Sequence, residues 1–124
     1  MSEKRINIRY KTQGKALVEG VSEEFYILKD LSVTGCQLEC TGNAGIVNEK
    51  QYKLEIHPDS LSKIGAFDLL VVSKWIRAGD YSSAIGFSIV ESPTGRYFER
   101  YVDYLAWRYS QGNSMTGNSA PETP

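Results

Sequence analysis

Between residues 15 and 90, apolar and polar side chains alternate, and only beyond Ser92 does the spacing change to that of a helix. A two-residue period sends alternate side chains to opposite faces, so this stretch must form half-buried strands. Strands are expected over 15–21, 25–32, 36–41, 52–57, 67–77 and 81–90. Tyr26, Leu28, Asp30 and Ser32 should share one face of the second, and Cys36, Leu38 and Cys40 one face of the third. Turn chemistry marks 41–45 as a loop, and 57–60 interrupts the pattern with room for one helical turn before Gly65. The last two strands form a hairpin turning at Ala78, Gly79 and Asp80. Six strands at this spacing predict a mainly β fold, a small antiparallel barrel or sandwich. Ser92 then offers an N-cap and Pro93 a first helical residue. Phe98, Tyr101, Val102 and Leu105 follow at i, i+3, i+4 and i+7, which predicts an amphipathic helix over 94–109. From Ser110 the chain is rich in Ser, Gly, Asn, Thr and Pro, so 110–124 is expected to be a disordered tail.

A chain of 124 residues suffices for one domain with one buried core. Its longest aliphatic run, residues 69–72, is far too short to span a bilayer, and the first ten residues hold no apolar stretch resembling a secretory signal. The expected location is therefore the cytosol of a bacterium, without membrane insertion. Cys36 and Cys40 would lie roughly 13 Å apart along a strand, too far for a disulfide, and read as small buried hydrophobes. With one histidine and no Cys-x-x-Cys, no metal site is expected. A net charge of −1 argues against DNA or RNA as a partner. The cations are nevertheless uneven, because Lys4, Arg5, Arg9, Lys11 and Lys15 all lie in the first fifteen residues. Such a head suits either one compact anion or a merely solvated terminus.

Two segments carry specific chemistry. Arg5 and Arg9 stand four positions apart, offering planar forks that match phosphate oxygens and the O6/N7 edge of guanine. Asp30 and Ser32 close a strand that runs into Gly35. A carboxylate there accepts from guanine N1–H and N2–H₂, a hydroxyl donates or accepts, and a glycine lets backbone approach a ligand closely. The same residues also suit a strand ending in a tight turn. Trp75 and the helix tyrosines 97, 101, 104 and 109 are read as core or packing residues, outside the site. His57 is read as structural or solvent-exposed; no nucleophile–base pair can be assembled from the spacing, so no enzyme is expected.

The order Arg-x-x-x-Arg, strand, Asp-x-Ser-x-x-Gly resembles the PilZ domain of bacterial cyclic di-GMP receptors. The resemblance covers residues 4–109 and includes the late strand with Ile85-Gly86-Phe87 and the helix after it. It implies a six-stranded antiparallel β-barrel with a C-terminal helix, binding cyclic di-GMP at its rim and needing no cofactor. Residues 1–11 would be a flexible basic arm and 12–109 the barrel and helix. Arg5 and Arg9 would take the phosphates and the guanine Hoogsteen edge, Asp30 and Ser32 would read the base, and Gly35 would permit its approach. Lys4 stands where many members carry another arginine, keeping the charge without the fork. The arm begins almost at Met1, so the output is expected to pass through a separate protein effector in motility, secretion or exopolysaccharide control. The alternative is a PilZ-like adaptor that binds protein and no nucleotide.

Overall fold

The computed structural model describes residues 8–92 and 96–116, with side chains through residue 111. Strands β1 (Tyr10–Lys11), β2 (Lys15–Val18), β3 (Tyr26–Leu31), β4 (Gly35–Thr41), β5 (Gln51–His57), β6 (Phe67–Ala78) and β7 (Ser82–Glu91) precede one helix, α1 (Arg96–Thr116). Six of them close on themselves in the order β3-β2-β5-β6-β7-β4 and back to β3, every pair antiparallel. The seventh, β1, continues the edge that β2 leaves: β2 pairs with Tyr26 and Ile27, and β1 with Asp30 and Leu31. Thr12 bridges the two, its hydroxyl donating to the Leu28 carbonyl at 2.7 Å and accepting from Gly14 N–H at 3.0 Å. The fold is thus a closed six-stranded barrel with one extra strand and a C-terminal helix.

The alternation foreseen in the sequence fills the interior. Ala16, Val18, Leu28, Leu38, Leu54, Ile56, Leu69, Val71 and Ile85 all point inward and are fully buried, which is the main favourable term in such a fold. Helix α1 seals one end with Phe98, Tyr101, Val102 and Leu105, the Tyr101 and Phe98 rings lying 6.1 and 6.0 Å from Phe67. Asp59, following the β5 strand, holds the helix in place. Its side chain is only 8% exposed, accepts from Tyr101 Oη at 2.9 Å and faces Arg108 Nη1 at 3.7 Å. Further along, Tyr109 meets Tyr10 of β1 edge-on at 5.6 Å.

Three expectations need correction. The first strand stops at Val18 rather than residue 21, because Gly20 turns the chain with φ +80°. The helix runs on to Thr116, through residues expected to form a structureless tail. Extending an existing helix adds a hydrogen bond per residue without a new nucleus, and no proline intervenes before Thr116. The third concerns β3. Tyr26, Leu28, Asp30 and Ser32 do not share a face, because the register shifts between Leu28 and Asp30 and the strand ends at Leu31. Pro93 and residues 117–124 lie outside the described residues, as do 1–7 of the arm; its last two residues, Tyr10 and Lys11, are paired into the sheet. The single turn before Gly65 is present as a 3₁₀ helix, Ser60–Ser62.

Candidate functional site

Two β-bulges create the outer face on which the sequence-predicted residues meet. In β3, Leu28 opposes Leu38 and points inward, whereas after the shift Asp30 opposes Gln37 and points outward. In β6, Ser73 opposes Phe87 and points inward, whereas after its own shift Trp75 opposes Gly86. An added residue in one strand inverts the facing of every side chain beyond it. Strict alternation would have sent both Asp30 and Trp75 into the core. The bulges instead place them in one cross-strand row: Lys11, Asp30, Gln37, Gly86, Trp75.

Arg9 and Asp30, 21 residues apart in sequence, are brought together by the pairing of β1 with β3. Arg9 Nη1 donates to Asp30 Oδ1 at 2.9 Å, with the guanidinium half exposed and the carboxylate 18% exposed. The other guanidinium nitrogen reaches over Gly35, where an added Cβ would lie 3.2 Å from Nη2 and 2.5 Å from the Phe87 carbonyl oxygen. Gly35 is therefore required by the approach of β7 as well as by Arg9. A guanidinium carries five N–H donors, so bonding to Asp30 leaves others directed outward for an anion.

Ser32 is placed differently. Its side chain is buried, and its Oγ accepts from the backbone N–H groups of Thr34 and Gly35, each at 3.1 Å. Ser32 N–H donates to the Gly35 carbonyl at 2.8 Å, closing the turn between β3 and β4. The hydroxyl thus fixes the turn that presents Gly35 and does not stand beside Asp30. Arg5 lies outside the described residues. Beneath the site, burial pushes the Cys36 thiol up to about 12; the Asp30 carboxylate adds to the shift and the Arg9 guanidinium opposes it.

By its sequence context Trp75 reads as a core residue, yet it sits on the same outer face as Asp30. The signal was present in the chain: Gly86 on the partner strand leaves the space that the indole fills. An open cavity of about 820 Å³ lies at the other barrel mouth, bounded by Tyr26, Ala44, Tyr52 and the loops around them. None of Arg9, Asp30, Ser32 or Gly35 lines it. Among the described residues no His/Cys/Asp/Glu cluster could hold a metal, and no helix is long and apolar enough to cross a membrane.

Solved structures share this architecture. The Bacillus subtilis inhibitor of motility MotI/DgrA superposes with a TM-score of 0.68 at 12% identity, over 88% of this chain and 52% of that one. K. pneumonia MrkH in its apo state superposes with a TM-score of 0.60 at 12% identity, over 90% of this chain and 55% of that one. The chain therefore spans about half the length of each. No protein-family model and no curated protein matches the sequence. Six strands closed into a barrel, the C-terminal helix and this likeness identify the fold as a PilZ-like barrel.

Proposed function

We propose that the chain is a non-enzymatic receptor for cyclic di-GMP, binding it on the outer barrel face around Arg9, Asp30 and Gly35. The observation that carries this reading is the Arg9–Asp30 pair poised over the bare backbone of Gly35. It joins a phosphate-matching fork and a guanine-matching carboxylate within one patch, Gly35 leaving the room in which the fork lies. Arg9 takes a phosphate or the guanine O6/N7 edge with its outward N–H groups, and Asp30 accepts from guanine N1–H and N2–H₂. Ser32 contributes by holding the turn. Arg5, four positions upstream, reaches a second anionic or base edge of the same ligand as the arm folds across the face. The ordered arm and barrel then form a surface for a protein effector. One structural neighbour is named an inhibitor of motility, which favours a motility component as that effector.

Charge-assisted hydrogen bonds contribute about 1.5–3 kcal/mol each, so three or four give roughly 5–12 kcal/mol, a range that brackets the roughly 8 kcal/mol of a micromolar complex. Isothermal titration with cyclic di-GMP, with GTP and linear pGpG as controls, tests the reading. Wild-type protein should bind the cyclic dinucleotide selectively, and Arg9→Ala and Asp30→Ala should each weaken binding at least about tenfold while retaining the fold. Unchanged affinity in both variants would reject the site. An absence of binding by the wild type would favour the protein-only adaptor.

A further inference from the structure

Helix α1 carries a second stripe that the barrel core does not use. Phe98, Tyr101, Val102 and Leu105 are buried against the barrel, while Tyr97, Arg100, Tyr104 and Trp107 follow one another along another side. Tyr97 is 42% exposed and Trp107 58%, Arg100 is exposed, and Tyr104 is half-buried. The rings of this stripe are held in place from below. Tyr104 stacks on the buried Tyr101 with centroids 6.2 Å apart, and Trp107 leans on Tyr104 at 6.2 Å. Arg108 sets its guanidinium carbon 5.8 Å from the Tyr104 centroid. Tyr97 rests over Gly65, where an added Cβ would lie 3.5 Å from its Cε2. Rings already fixed lose little freedom when something docks on them. Trp, Tyr and Arg are also the side chains that dominate the energy of protein interfaces.

The four residues are spaced by three, four and three positions, the step that keeps side chains on one seam of a helix. That spacing reads the same from either end. A two-fold axis level with residue 102 therefore brings an antiparallel copy of α1 into register with the first. Tyr97 then meets Trp107 of the second copy, and Arg100 meets its Tyr104. Asp103, exposed on the flank of the stripe, comes opposite Arg100 of the second copy. Neither Arg100 nor Asp103 forms an ion pair among the described residues. We propose that this stripe is a self-association surface, two copies of the chain pairing antiparallel through α1 with Arg100 and Asp103 bridging reciprocally across the axis. The contact is isologous, so each interaction occurs twice. Nucleic acid or an anionic membrane fits the stripe less well, because Asp103 would face phosphate. The inference concerns the helix alone and stands apart from the reading of the Arg9–Asp30 face.

Sedimentation velocity on the full chain without nucleotide, over about a hundredfold range of concentration, tests it. The expected result is a monomer–dimer equilibrium. Trp107→Ala should raise its dissociation constant about thirtyfold or more. Arg100→Asp and Asp103→Arg should each weaken the dimer by setting like charges opposite one another, and the two combined should recover much of the loss. Far-UV spectra confirm that each variant is folded. A chain that stays monomeric throughout the range overturns the proposal. So does a dimer that Trp107→Ala leaves intact, or a double charge reversal that associates no more tightly than either single one.

Discussion

A methyl group at position 35 would lie 2.5 Å from the Phe87 carbonyl, closer than any real contact of that kind. Gly35→Ala must push β4 and β7 apart, at a cost of about 1–3 kcal/mol expected from overpacking. Ser32→Ala removes the acceptor for the buried Gly35 N–H and the part-buried Thr34 N–H, and leaving a buried donor unsatisfied costs about 1–3 kcal/mol. Urea unfolding midpoints should fall for both variants without any ligand present, whereas Asp30→Ala, on the outer face, should leave the midpoint nearly unchanged. Ligand binding lost in the first two therefore reports on the turn, and loss in the third on recognition. Cys36 gives a separate check. Its thiol is fully buried and pushed up to about 12, so a thiol reagent at pH 8 should modify the partly exposed Cys40 and leave Cys36 until the protein unfolds.

At the scale of elements, the helix depends on a single carboxylate. Tyr101→Phe removes the bond to Asp59, and a hydrogen bond to a charged group contributes about 1.5–3 kcal/mol. A lowered melting temperature with the far-UV spectrum retained is the expected outcome; an unchanged one would show that the Tyr101 bond adds nothing to the apolar packing and to the Arg108–Asp59 pair. The strands and this helix were legible in the sequence because period 2 and period 3.6 are long-range signals. What was not legible is where alternation slips. One extra residue changes no composition and leaves no mark in a hydropathy pattern, yet it put Asp30 and Trp75 on the outer face, where strict alternation would have turned them inward. Ser32 was misplaced for a related reason, since the strand ended one residue earlier and the hydroxyl turned to its own backbone. The Arg9–Asp30 partnership was recognisable only by family resemblance, because nothing local in residues 9 and 30 says that β1 will lie beside β3.

For the whole molecule, Cys36 and Tyr101 are among the buried groups that lower stability in alkali. Cys36 titrates near 9.0 when unfolded and near 12 in the fold, and burial, with the Asp59 carboxylate adding, raises Tyr101 above its ordinary 10.0. Both folded pKa values exceed the unfolded ones, so the stabilisation is complete below pH 9 and is lost as pH climbs from there through 12. Urea midpoints should hold steady between pH 7 and 8.5 and fall between pH 9.5 and 11. The barrel itself offers two separate places for a ligand, the outer face crossed by the row from Lys11 to Trp75 and the cavity at the mouth bounded by Tyr26, Ala44 and Tyr52. An amide chemical-shift map recorded during titration with cyclic di-GMP discriminates them in one measurement. The account predicts shifts concentrated at Arg9, Lys11, Asp30, Gly35, Gln37, Gly86 and the Trp75 indole; shifts confined to Tyr26, Ala44, Tyr52 and their loops would contradict it.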